Sequence, residues 1–236
     1  MAEATAEASA EASAEGMTAR PALLFDLDGT LSDPVVGISR SLQHAMVRLG
    51  REPPDAAALR RFVGPPLRAI FAELLATDDP ALIASAVAFH RERFATVGLY
   101  ENVIHPGIAA LLRDLAEEGH RLFLVTSKPH IYARRILDHF GIGGWFGAIY
   151  GPELDGRNSE KTELVALALE RERLRPAASW MIGDRAVDVE GGRANGTRTA
   201  AVLWGCGDED ELRAAAPDLL ARTVTELHDG LLRARP

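Results

Sequence analysis

The segment Leu23-Leu24-Phe25-Asp26-Leu27-Asp28-Gly29-Thr30-Leu31 places two carboxylates one residue apart at the end of an apolar run and follows them with a glycine. An extended run alternates its side chains between two faces, so the spacing predicts Asp26 and Asp28 on one side and Leu27 in the core. Two close carboxylates repel one another and lose solvation when buried. A hard divalent cation offsets both effects, and Mg2+ is commonly held by one or two carboxylates together with phosphate oxygens of a substrate. The pair therefore points to phosphate chemistry. A strand-to-turn exit in which Asp and Gly merely form the turn is the competing reading.

Three further segments hold groups suited to one phosphoryl moiety. In Val125-Thr126-Ser127-Lys128-Pro129 an apolar run ends in two hydroxyls and the exposed amides of a turn, donors that suit phosphate oxygens, though a Ser/Thr helix cap would look the same. Lys161 opens a helical pattern that runs to about Arg173. Of the 26 basic residues only Lys128 and Lys161 are lysine, and both lie in or beside these segments. A compact ammonium suits charge balance among carboxylates and phosphate in a way a flat guanidinium does not. Lys161 is expected to serve that role, and Lys128 is expected at the surface, the usual place for a lysine. Finally, Met181-Ile182-Gly183-Asp184-Arg185-Ala186-Val187-Asp188 delivers Asp184 at a strand end, with Asp188 one helical turn later on the same side. The seven histidines show no close pair at metal-ligand spacing.

Positioning these groups requires strands that end together. Strand-like runs recur at 22–27, 122–126, 148–151, 179–182 and 199–203, with helical patterns between most of them. That alternation predicts an α/β fold, a Rossmann-like doubly wound parallel sheet with helices on both faces. The gap after the first strand is different: Ile38, Leu42, Ala45, Met46 and Leu49 follow helical spacing, and further helical stretches fit 56–63, 67–75 and 81–94. Sites in doubly wound sheets lie at the carboxyl ends of the strands, so this inserted all-helical block is expected to cover the acid pair as a cap. The expected organisation is an α/β core of residues 20–32 and 104–236, a helical cap of 33–103, and a disordered Ala/Glu-rich tail of 1–19. Ala at every even position and Glu at every fourth give that tail no apolar face to dock. Met17 is a candidate start, which the intact mass of the natively expressed protein tests.

Composition narrows the class. Hydrophobic residues make up 47% and charged residues 25% of 236 residues, within the range of globular proteins. Half of the net charge of −8 comes from Glu3, Glu7, Glu11 and Glu15, ahead of the first basic residue, Arg20. The mildly acidic remainder argues against a nucleic-acid polymer or an anionic membrane as partner. A single cysteine, Cys206, allows neither an intrachain disulfide nor a cysteine-based zinc site. With no signal-like N-terminus and no long apolar run, the cytoplasm is the expected compartment. The chain is expected to act as a monomer or homodimer on a small phosphorylated metabolite.

The four segments, in this order, resemble the haloacid dehalogenase superfamily of phosphohydrolases, over nearly everything from residue 22 to about 230. The insertion, Phe62-Val63-Gly64-Pro65-Pro66-Leu67, Val125-Thr126-Ser127-Lys128-Pro129 and Leu154-Asp155-Gly156 are similar to its phosphoglycolate phosphatase-like members, and the last also to relatives described as 5'-nucleotidases. The resemblance implies that Asp26 attacks phosphorus to form an aspartyl-phosphate while Asp28 protonates the leaving alcohol and then activates water. It further implies Mg2+ on the Asp26 carboxylate, the Asp28 main-chain carbonyl and the Asp184 carboxylate, supported by Asp188, with Thr126 and Ser127 on phosphate oxygens and Lys161 offsetting charge. Asp28 argues against dehalogenation, and the lack of lysine between residues 33 and 105 against Schiff-base phosphonate cleavage. The expected activity is Mg2+-dependent hydrolysis of small phosphomonoesters, phosphoglycolate first. A 5'-nucleotidase, a phosphosugar mutase, a phospho-receiver and a silent binding protein remain as alternatives. Arg60, Arg61 and Arg68 could pair with a carboxylate or second phosphate, or simply be solvated helix charges.

Overall fold

The computed structural model describes residues 20–233; the Ala/Glu-rich tail lies outside them. Strand β1 (Ala22–Phe25) is the centre of a six-stranded sheet with β4 (Leu122–Val125), β5 (Phe146–Tyr150), β6 (Ser179–Gly183), β7 (Arg198–Val202) and β8 (Leu219–Ala221). The order is β5-β4-β1-β6-β7-β8 and every pair is parallel. Such a sheet needs helical crossovers, and its central strands β4, β1 and β6 are buried on both faces while the edge strands β5 and β8 are only partly buried. Leu23 and Phe25 pack into the core on one face, while Ala22 and Leu24 meet Leu164, Val165 and Ala168 of α7 (Lys161–Arg171) on the other. β1 has β4 on one side and β6 on the other, so the chain reverses its strand order there. The carboxyl ends flanking that switch point form the crevice of a doubly wound sheet.

Register decides what meets in the crevice. Phe25 pairs with Leu124 and with Ile182, so Asp26 follows level with Val125 and Gly183, and Thr126 and Asp184 come one position further along the neighbouring strands. β1 is shorter than its apolar run. It ends at Phe25, so Asp26 and Asp28 do not share a face through strand alternation. The Asp26 amide still donates to the Ile182 carbonyl at 2.8 Å, but the amides of Leu31 and Ser32 then fold back onto the Leu27 carbonyl. Leu27 is fully buried. Gly29, at φ +90°, makes this turn possible, and a Cβ there would overlap the Asp184 carboxylate.

The helical insert is tethered by an antiparallel ribbon of β2 (Ser32–Asp33) and β3 (Val103–Ile104). It comprises α1 (Val35–Arg48), α2 (Ala56–Leu59), α3 (Leu67–Leu75) and α4 (Pro80–Phe94). Asp79 caps α4 by accepting from the Ala81 amide, with Pro80 at the first helical position. The single helix expected over 56–63 breaks instead: α2 passes into a 3-10 turn at Arg60–Phe62, and Val63 is extended. Three consecutive non-helical positions, Val63, Gly64 and the residue before Pro66, explain the break. Helices α5 (Ile108–Glu117), α6 (His130–His139), α8 (Ala186–Ala194), α9 (Glu209–Ala215) and α10 (Val224–Arg233) complete the flanking layers. The short β8 and the two-residue ribbon strands carry too little pattern to be anticipated. Among the described residues no helix is long and apolar enough to cross a membrane.

Candidate active site

Lys161 stands at the first position of α7 and is 6% exposed. Its Nζ lies 2.8 Å from Asp26 Oδ1, 2.7 Å from Asp188 Oδ1 and 3.0 Å from the Val125 carbonyl oxygen. Asp26 Oδ1 and the Val125 carbonyl accept hydrogen bonds from the ammonium, while Asp188 Oδ1 pairs with it as an ion without a hydrogen bond. Burial alone would discharge this lysine, yet Asp188 and Asp26 hold its pKa above the ordinary value. Asp184, fully buried, accepts from the Cys206 amide at 2.7 Å and from Thr30 Oγ1 at 3.2 Å. Burial first, then the charges of Asp26 and Asp188, push it up to about 7. Asp188 accepts from the Arg185 amide at 3.1 Å and is pushed up to about 6 by burial, against the pull of Lys161.

Asp26, Asp184 and Asp188 each offer a carboxylate oxygen within 4.8 Å of the others. Among the described residues Asp184 has two neutral donors and no cationic partner, so nothing there offsets the charge of its ionised form. Oxygen donors, buried and mutually repelling, are what a hard cation such as Mg2+ requires.

Asp28 is paired with a different lysine from Asp26. Its Oδ2 is 2.7 Å from Lys128 Nζ, its Oδ1 is buried without a hydrogen-bond partner, and burial raises its pKa despite Lys128. Here the sequence expectation needs correcting: Lys128 is not a surface residue but is 8% exposed. The turn after β4 closes on itself, the Lys128 amide donating to Thr126 Oγ1 at 3.2 Å, and this draws the side chain back over the strand ends. Above it, the ring of Phe94 from α4 faces Lys128 Nζ at 4.7 Å, so the insert covers the ammonium. Thr126 is buried and Ser127 half-buried at this same turn. The seven expected site residues thus lie at the carboxyl ends of β1, β4 and β6, at the start of α7 and, for Asp188, in the first turn of the helix that follows β6.

Sequence reasoning missed several contributors. Thr30 and the loop Trp204-Gly205-Cys206-Gly207 secure Asp184, and Trp204 Nε1 donates to the Thr30 carbonyl at 3.0 Å. The closely spaced glycines of this loop were the available signal: a Cβ on either Gly205 or Gly207 would overlap Asp184. Of Arg60, Arg61 and Arg68, Arg61 pairs with Glu73 on the surface and Arg68 is exposed, whereas Arg60 donates to the Gly205 carbonyl at 3.1 Å.

A family model described as haloacid dehalogenase-like hydrolase matches residues 23–202. A 5'-nucleotidase of Pseudomonas aeruginosa is 47% identical over 214 residues, covering 88% of this chain and 96% of its own. The tyrosine-protein kinase PtkA of Mycobacterium tuberculosis is 36% identical over 211 residues, covering 89% of this chain and 72% of its own. Among solved structures, that of a predicted phosphatase from Clostridium acetobutylicum superposes with a TM-score of 0.86 at 35% identity, covering 92% of this chain and 100% of its own.

Proposed function

The chain belongs to the haloacid dehalogenase-like hydrolases, and from that premise we propose that it is a Mg2+-dependent phosphatase that hydrolyses small phosphomonoesters through an aspartyl-phosphate on Asp26. The observation that carries this reading is the bridging of Asp26 and Asp188 by one buried lysine, with a second lysine on Asp28. Lys161 occupies Asp26 Oδ1 and so leaves Oδ2 as the attacking oxygen. Attack on phosphorus forms the O–P bond as the ester O–P bond breaks, and the departing alcohol takes its proton from Asp28. Asp28 then accepts a proton from the water that attacks the acyl phosphate, which releases inorganic phosphate and restores Asp26. Burial favours the protonated form of Asp28, and the Lys128 ammonium favours the ionised one. The two opposing influences suit a carboxyl that must be both acid and base.

Asp26, Asp184 and the Asp28 main-chain carbonyl would hold Mg2+, with Asp188 in support. Bound there, the cation would neutralise charge on the phosphoryl oxygens. Thr126 and Ser127, at the turn after β4, would donate to the remaining oxygens. Residues 33–103 act as the cap over a core of 20–32 and 104–236, shielding the acyl phosphate from bulk water, and the cytoplasm is the compartment that suits such a substrate.

Nucleoside monophosphates are the first substrate class, because the relative sharing 47% identity over 96% of its length is named for that activity. Phosphoglycolate, suggested by the sequence resemblance, is second. Phosphate release should be abolished in Asp26→Asn, whereas unchanged activity in that variant removes the nucleophile assignment. A kinetic panel of nucleoside monophosphates, phosphoglycolate and hexose phosphates ranks the substrates. Transfer of phosphate from ATP to tyrosine, the activity in the mycobacterial relative's name, is checked in the same panel by phosphotyrosine detection.

A further inference from the structure

Arg91 and Arg135 tie the insert to the core through the Leu154 and Ala95 carbonyls, and two further arginines cross the boundary in opposite directions beside Asp184. Arg60, on the insert, donates to the Gly205 carbonyl of the core at 3.1 Å, and Arg185, on the core, donates through Nη1 to the Val63 carbonyl of the insert at 2.9 Å. Both contacts converge on Asp184. Gly205 O belongs to the same peptide unit whose N–H, that of Cys206, donates to Asp184 Oδ2 at 2.7 Å, and Arg185 directly follows Asp184 in the chain.

Arg185 is built to point where it does. Its Nε pairs with Glu211 Oε1 at 3.1 Å, and the same oxygen accepts from the Ala186 amide at 2.9 Å, while the Arg185 amide is held by Asp188. The insert makes room for the guanidinium. Gly64 has φ +111°, and a Cβ there would stand 3.2 Å from Arg185 Nη1. The segment Arg60–Gly64 is also where the expected helix breaks, which exposes the Val63 carbonyl to an external donor.

We propose that Arg60 and Arg185 are positioning residues that form a reciprocal latch, holding the Arg60–Gly64 segment of the insert over the Asp184 side of the pocket and linking its seating to the peptide that orients Asp184. Phe94 covers Lys128 elsewhere in the site, and the latch seats a second segment of the insert beside Asp184, where it would meet the leaving group of a phosphomonoester. This builds on the phosphatase reading.

The test is amide hydrogen exchange on the full chain in the wild type, Arg185→Ala and Arg60→Ala, read in peptides covering 60–66 and 203–207 and, as a control, β4. Arg185→Ala also loses the Glu211 pair; Arg60 is about half exposed, so its removal leaves the core intact. Losing one charged hydrogen bond predicts roughly tenfold faster exchange in 60–66 and 203–207 in each variant, with β4 unchanged. KM for the best substrate of the panel should rise by a similar factor, about tenfold, with a smaller change in kcat. Unchanged exchange in both variants overturns the latch, as does an equal rise in β4, or faster exchange with unchanged KM. The exchange is read without substrate, so it decides the latch even if the phosphatase reading fails.

Discussion

His90 offers a measurement in which the structure sets the sign, size and pH window of an effect. The side chain is 3% exposed on α4, stacked on Phe94 at 5.3 Å and edge-on to Phe71 at 6.2 Å, and neither ring nitrogen has a hydrogen-bond partner. Burial, then the nearby charges of Lys128, Arg91, Arg93 and His44, push its pKa down to about 3 from 6.5. Below pH 6.5 the unfolded chain therefore binds a proton that the folded protein refuses. Stability present above pH 6.5 is lost as pH falls towards 3. By pH 5 the unfolded imidazole has gained about 1.5 pH units of protonation free energy, or about 2 kcal/mol, while the folded ring is still neutral. His90→Leu removes this term and leaves every other titrating group in place. Near pH 8 the two proteins should differ by no more than about 1.5 kcal/mol, as for a volume-conserving core exchange. Between pH 8 and pH 5 the wild type should lose about 2 kcal/mol relative to the variant. Urea melts of both proteins at the two pH values measure this directly. A difference in midpoint between wild type and variant that stays constant from pH 8 to pH 5 would refute the reasoning, because it would mean that His90 is protonated in the folded state or reaches water.

Lys161→Met should strand Asp26 and Asp188 as buried, unpaired carboxylates, at a cost of about 3–5 kcal/mol in urea melts near pH 8, together with loss of turnover. Part of that stability should return as pH falls from 8, beginning above pH 6, because burial already pushes Asp188 up to about 6 against the pull of Lys161, and loss of the lysine raises it further. Chelation of divalent ions should stop phosphate release, and calorimetric Mg2+ affinity should strengthen by up to about tenfold per pH unit from pH 5 to 7 and level off above, since Asp184, pushed up to about 7, must lose its proton to bind. A pH-independent affinity would count against Asp184 as a ligand. Gly29→Ala should abolish activity while leaving a folded protein by circular dichroism, because the new methyl group overlaps the Asp184 carboxylate and strains a φ of +90°; full activity would show that the turn can shift without cost.

Much of the candidate site was legible in the chain because its groups are locally placed. Asp26, Asp28, Asp184, Asp188 and the rare Lys161 sit at the boundaries between apolar runs and turns, and those boundaries follow from side-chain periodicity. The helical insert was legible for the same reason, down to the limits of α3 at Leu67–Leu75. What periodicity cannot carry is who meets whom. Lys161 reaches Asp26 across 135 residues because β1 is flanked in register by β4 and β6. Lys128, which composition marks as rare but not as buried, is turned inward only when its own amide closes on Thr126 and an aromatic ring of the insert covers it. Asp184 depends on an amide 22 residues downstream, and Arg185 on a carbonyl 122 residues upstream. The sequence by itself therefore determined which groups are present and that they end strands. Only the tertiary structure decided their partners, because pairing between distant segments is set by strand register and by packing of the insert, neither of which leaves a periodic trace in the chain.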